Sequence, residues 1–256
     1  MSDKDTINSI DRALDILLVL QQEGKEMGVT QISKELGIYK STVCRTLATM
    51  EKRNFVQQNP DNGKYWLGLK LYSIGMLIRE KMPLKNIAYP YAKALSDKFK
   101  EVVHISVLDQ SAVVFPKHII IDKIESDQVL SVIPPIGSIA ACHSAAVGKC
   151  LLAFSAPEYI EKFVGNELPV YTINTITNWD DLQAELKTIR QEGYALDHEE
   201  LELGLTCVAA PIFGTDQKVV AALSLSGPTA RIKSSKFADV VLEVRKNAQY
   251  ISALLK

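Results

Sequence analysis

Apolar residues near the start of the chain recur at three- and four-residue intervals: Ile10, Leu14, Leu17 and Leu18, then Ile32 and Leu36, then Val43, Leu47 and Met50. That is the period of helices with one buried stripe. Ser9 predicts the N-cap of the first helix and Gly24 its stop. Thr30 predicts the cap of a short second helix, and Gly37 suits its left-handed exit. The third helix is predicted from about Ser41 to Arg53. After it, FVQQNPDNGKYWLGL reads as strand, turn and strand, because Asn59-Pro60-Asp61-Asn62-Gly63 gathers turn formers between two β-prone pieces. Three helices and a hairpin predict a winged helix-turn-helix over residues 1–68.

Helical periodicity returns in Leu69, Leu71, Ile74, Leu77 and Ile78 until Met82-Pro83 breaks it. Residues 69–82 therefore read as a linker helix, with more apolar positions than one thin domain can cover. From residue 83 to 256 the pattern is mixed. A helix runs to Phe99, strands follow at VVHISVL, AVVFPKHIIIDKIE and VLSVI, and a helix follows in HSAAVGKCLLAF. A longer helix is capped by Asn178 and stopped by Gly193, strands lie at CVAAPIF and VVAALSLSG, and a last helix starts at Ser235. Strands succeed one another too closely for βαβ crossovers, so the fold class is α+β, with an antiparallel sheet flanked by helices.

The chain has 256 residues, 47% apolar and 23% charged, enough for a substantial core. No apolar run reaches the ~20 residues of a membrane span, and the polar start lacks the order of a signal peptide. The expectation is a cytoplasmic protein without a membrane partner. Four cysteines without CxxC pairing and four scattered histidines predict reduced thiols, no structural metal and no cofactor.

A net charge of −1 supplies no general attraction to nucleic acid. Between Lys34 and Lys70, however, seven cations face only Glu35, Glu51 and Asp61. In a helix-turn-helix the second helix of the pair lies in the major groove. Its polar stripe, Thr42, Arg45, Thr49 and Lys52, then faces bases and phosphates. Ser41 and Thr42 at the helix start suit phosphate, Arg45 can fork onto guanine, and Lys64 at the hairpin tip reaches the backbone.

Two further stretches suit a ligand. ACHSAAVGKCLL opens a helix with small residues, leaving the amides near Ala145, Ala146 and Val147 accessible to an anion. LSLSGP puts Ser224 and Ser226 on one sheet face among apolar neighbours. Close helix-on-sheet packing and bonding to nearby backbone are the plain alternatives. A third stretch crowds Asp197, Glu199, Glu200 and Glu202 ahead of an apolar strand, which reads as a solvated loop rather than a metal or acid-base site. The rival functional reading is a thiol enzyme using Cys142 or Cys207 with His143 or His198, but nothing in the sequence activates either thiol. A ligand sensor acting through protein contacts alone is opposed by the basic stripe.

The segments SIDRALDILLVL, GVTQISKELGIYKSTVCRTLATMEKRNFV, NGKYWLGLKLYSIG, CHSAAVGKCLLA, QEGYALDHEELELGLTCVAAPIF and VVAALSLSGP, in this order and spacing, resemble the IclR-type transcriptional regulators across nearly the whole chain. The resemblance implies a winged helix-turn-helix, a linker helix and a GAF-like effector domain. It also implies a homodimer or homotetramer on double-stranded operator DNA, more often repressing, under control of a small metabolite such as a carboxylate or sugar acid. Its DNA-reading helix maps onto Lys40 to Arg53, with Lys40, Ser41, Thr42, Arg45, Thr46, Thr49 and Lys52 as contacts, and its wing onto Gly63, Lys64 and Tyr65. Its effector cavity maps onto Ala146, Val147, Asp197, Leu205, Cys207, Ser224 and Ser226. Two stretches depart from the family pattern: FPKHIII lengthens the strand before Asp122, and Ser144-Ala145-Ala146-Val147 follows the histidine.

Overall fold

The computed structural model describes residues 7–126 and 134–255, so the expected strand VLSVI at 129–133 lies outside the described residues. The chain forms two compact units, Met1–Met82 and Pro83–Lys256.

In the first unit, α1 (Asn8–Glu23), α2 (Val29–Leu36) and α3 (Lys40–Glu51) precede a hairpin of β1 (Val56–Gln58) and β2 (Tyr65–Leu67), followed by α4 (Leu69–Glu80). Ile16, Leu20, Ile32, Val43, Leu47, Met50 and Val56 close one core, each large side chain contributing about 1.5–3 kcal/mol over exposure. Gly24 and Gly37 end α1 and α2 at φ 64° in both cases, as expected. Both caps differ from expectation. The Ile7 carbonyl accepts the amides of Ile10 and Asp11, so α1 opens ahead of Ser9. Met27 is tied to Tyr65 by two backbone hydrogen bonds of 3.0 and 2.8 Å, which fixes the start of α2 at Gly28 rather than Thr30. The Gln31 carboxamide then accepts the Gly28 amide at 2.9 Å.

The second unit runs α5 (Pro83–Phe99), β3 (Val102–Leu108), β4 (Lys117–Ile124), β5 (Ile139–Ala141), α6 (Ala146–Ala153), α7 (Pro157–Glu161), α8 (Trp179–Glu192), β6 (Ala195–His198), β7 (Leu205–Phe213), β8 (Val219–Pro228), α9 (Thr229–Ile232) and α10 (Phe237–Leu254). One antiparallel sheet has the order β5-β4-β3-β8-β7-β6. Alternation sends Val103, Ile105, Leu223 and Leu225 to a core shared with α5 and α10, and the intervening residues to the face covered by α6 and α8. The β5 and β6 strands, three and four residues long, are too short to show alternation in the sequence.

Helix α6 sits unusually close to the preceding chain. A Cβ built on Gly148 would lie 2.3 Å from the Cys142 Cα, so glycine there lets the helix start press against the sheet edge.

Candidate DNA-reading helix and ligand cavity

Val43, Leu47 and Met50 anchor α3 and turn the opposite face outward. Lys40, Ser41, Arg45, Thr49 and Lys52 are exposed, while Thr42 and Thr46 are half-buried. Thr42, Arg45, Thr46 and Thr49 border a groove shared with α1 residues Ser9, Arg12 and Ala13. The Thr49 hydroxyl donates to the Arg45 carbonyl at 2.9 Å, which spends its hydrogen on its own helix. Cys44 and Ala48 are exposed on the same outward face and escaped the polar-stripe reading, because neither is a charged or hydroxylated residue.

The hairpin tip is braced from the start of the chain. Glu26 accepts the side-chain amides of Asn59 at 2.9 Å and Asn62 at 2.8 Å. Those bonds, Asn62 first, hold its carboxyl below the ordinary range. The Asn62 side chain also accepts the Lys64 amide at 2.8 Å, leaving the Lys64 side chain exposed at the tip. Tyr65 is half-buried against the core, so it braces the wing.

In the second unit one small cavity, about 60 Å³, is bordered by all seven residues mapped onto an effector site: Ala146, Val147, Asp197, Leu205, Cys207, Ser224 and Ser226. The sheet register explains the meeting. Asp197 lies opposite Cys207, Cys207 opposite Ser226, and Ser224 opposite His104, so one polar band crosses four strands. Ala146 and Val147 open α6 at the cavity, where first-turn amides have no intrahelical acceptor. The sequence reading missed His104, Ser106 and His118, which also border it. The alternation of HIS and of KHIII carried that signal, but it becomes legible only once β3 and β4 are known to pair.

The acidic stretch is not a solvated loop where it matters. Asp197 and Glu200 are 1% and 6% exposed. Glu200 is drawn in because its carboxylate accepts from Lys149 Nζ at 2.6 Å, and its own amide donates to Asp197 Oδ1 at 2.8 Å. Burial, with the Glu200 charge adding to it, pushes the Asp197 pKa up to about 7. Burial lowers His104 and His118 to about 4, so both imidazoles are neutral near pH 7. Among the described residues no group of three or more His, Cys, Asp or Glu side chains could hold a metal, and no helix is long and apolar enough to cross a membrane.

Residues 9–60 match the IclR helix-turn-helix domain, and residues 76–253 match the C-terminal domain of the bacterial transcriptional regulator IclR. The chain belongs to the IclR family. Within it, the chain is 33% identical over 234 residues to the HTH-type transcriptional regulator XynR of Escherichia coli strain K12, covering 91% of each protein. It is 30% identical over 247 residues to the Transcriptional repressor IclR of the same strain, covering 96% of this chain and 89% of that one. An IclR homolog from Microbacterium hydrocarbonoxydans, solved as a complex with 4-hydroxybenzoate, shares the fold at TM-score 0.80 and 22% identity, over 96% of this chain and 98% of its own. This IclR-family chain is a transcriptional regulator with a DNA-binding helix-turn-helix and an effector-binding C-terminal domain. The departure FPKHIII supplies His118 to its cavity.

Proposed function

We propose that this regulator represses transcription by seating α3 in the major groove of double-stranded operator DNA, and that a small carboxylate or sugar acid in the sheet cavity changes its operator affinity. Residues 1–68 serve as the DNA-binding domain, 69–82 as the linker helix and 83–256 as the effector domain. Lys40, Ser41, Thr42, Arg45, Thr46, Thr49 and Lys52 contact the operator from α3, and Lys64 and Tyr65 from the wing. The observation that carries the effector reading is the convergence of Ala146, Val147, Asp197, Leu205, Cys207, Ser224 and Ser226 on one cavity. Helix-start amides, two hydroxyls and a carboxyl held protonated up to about pH 7 are donors for an anionic oxygen, with no cation among the described lining residues.

The protein acts as a homodimer or homotetramer in the cytoplasm. No residue of α4 is buried, and Leu69, Tyr72, Leu77 and Ile78, spread around the helix, are all more than half exposed, apolar surface that further copies would cover. It is not an enzyme of the thiol type. Burial holds Cys142 and Cys207 well above the ordinary thiol range, with Asp109 and Asp197 respectively adding to the shift, and the His143 ring bonds the Pro169 carbonyl at 2.8 Å.

Replacing Ser224 and Ser226 together by Ala tests the reading. The expected result is operator binding that persists while its response to a small-carboxylate panel disappears in a gel-shift titration. An unchanged response in the double variant places the effector elsewhere.

A further inference from the structure

Ala48 stands at the centre of the outward face of α3. Val43, Leu47 and Met50 hold the helix to the core, and at about 3.6 residues per turn the line opposite them runs through Ser41, Arg45, Ala48 and Lys52, all exposed. Arg45 and Lys52 bring cations to that line, and Ala48 between them brings only a methyl group. Beside it, Thr49 is exposed, but its hydroxyl donates to the Arg45 carbonyl at 2.9 Å. Thr49 is left with an oxygen lone pair and a methyl group to offer, and no donor. Both residues border the open groove between α1 and α3.

We infer that Ala48, with Thr49 beside it, determines specificity on the DNA-reading helix and selects a T·A pair, with the thymine methyl against Ala48 and the adenine amino group on the Thr49 oxygen. The inference rests on the proposed seating of α3 in the major groove, with Arg45 on guanine.

The chemistry of the major groove singles out that pair. C·G and T·A pairs each present one amino donor and two acceptors there, and only T·A adds an apolar group, the thymine C5-methyl. Packed on Ala48, that methyl leaves water with no polar group stranded. A cytosine in its place carries a hydrogen where the methyl was, so Ala48 faces a gap. A guanine in its place turns N7 and O6 toward residues that have no hydrogen to give. Spacing then locates the pair. Three residues separate Arg45 from Ala48, about 4.5 Å along the helix, against about 3.4 Å between successive base pairs. The T·A pair therefore lies within two base pairs of the guanine held by Arg45.

Uracil lacks only the C5-methyl of thymine and makes the test. A site is first selected by the full chain from a random duplex library at fixed salt, and gel-shift titrations then compare duplexes carrying uracil at one thymine at a time. The expected result is one thymine in each half-site, within two base pairs of the guanine at which Arg45→Ala loses preference, where uracil weakens binding about fourfold. In Ala48→Gly that uracil penalty should vanish. Any weakening of the helix by glycine is common to both duplexes and cancels in the ratio. Ala48→Asn carries the test if the glycine variant does not bind, since its side-chain amide can fork onto adenine and should move the selected base at that position from thymine to adenine. Uracil tolerated at every thymine in that window overturns the inference, as does a penalty that persists in Ala48→Gly or a thymine still selected by Ala48→Asn. Replacing guanine by 7-deazaguanine, which removes the N7 acceptor, separates the two levels. Weakened binding there with uracil tolerated throughout rejects the role of Ala48 alone. Indifference to both replacements, or the absence of any selected site, rejects the seating of α3 in the major groove.

Discussion

Lys149 Nζ lies 2.6 Å from Glu200 Oε1, and Lys149 is 1% exposed. Its second carboxylate, Glu185 Oε1 at 3.1 Å, stands at the edge of solvent. The pair ties α6 to the turn after β6, where the Glu200 carbonyl accepts the Thr175 hydroxyl at 2.7 Å and the Glu200 amide holds Asp197. Removing one member of such a pair strands a buried charge. Lys149→Met should lower stability by about 3–5 kcal/mol in urea denaturation. Lys149→Met with Glu200→Leu should recover much of that loss, because no charge is then left alone. A double variant as unstable as the single one would locate the cost in packing instead.

Arg45 and Lys64 should separate reading from holding. Arg45 projects from the middle of α3, anchored by Val43 and Leu47 on either side. Arg45→Ala should cost about 1–3 kcal/mol on an operator and relax preference at particular base pairs. Lys64→Ala should weaken operator and random DNA alike and lower the salt slope by about one. Equal loss on both DNAs for Arg45→Ala would make it a phosphate contact.

Elements with a long period were legible in the sequence, and their partners were not. Gly24, Gly37, Asn178 and Gly193 mark helix ends because each cap is a local property of one residue; Asn178 accepts the Asp181 amide at 2.9 Å. Ser9 and Thr30 failed as caps because Ile7 and the Met27 bridge to Tyr65 set the helix starts. The serines of β8 were legible because two hydroxyls interrupt an apolar run. His104 and His118 were not, since their meeting depends on β3–β4 pairing, and that register shifts between Ile105 and Ser106. Asp197 and Glu200 read as solvated until the position of Lys149, a distant residue in sequence, is known.

The exposed apolar residues of α4 make a prediction about assembly. Leu77 and Ile78 are each 59% exposed, with Leu69 and Tyr72 further exposed along the same helix. Leu77→Glu with Ile78→Glu should convert an oligomer to monomers in sedimentation equilibrium at micromolar concentration. The fold of each unit should persist, because neither residue contributes to a core cluster. A wild-type protein that is already monomeric would remove the basis of this assignment.

Asp197 makes the pH dependence of stability testable with a definite sign. Its folded pKa is raised from 3.8 to about 7, chiefly by burial. Between those values the folded state holds a proton that the unfolded chain has released, so this group's contribution is favourable at low pH and is lost as pH rises toward 7. A shift of that size corresponds to at most about 4 kcal/mol above pH 7. His104 and His118 act oppositely: their folded pKa values, about 4 against 6.5, make stability fall as pH drops from 6.5 toward 4. Asp197→Asn isolates the carboxyl, since the amide oxygen can still accept the Glu200 N–H and the histidines are common to both proteins. The variant should be more stable than the wild type at pH 8, with the gap narrowing steadily as pH falls through 7 toward 4. Urea denaturation at pH 5 and pH 8 reads the difference. A gap that is the same at both values would mean that Asp197 is ionised in the folded protein throughout, and the protonated donor assigned to it in the cavity would go with it.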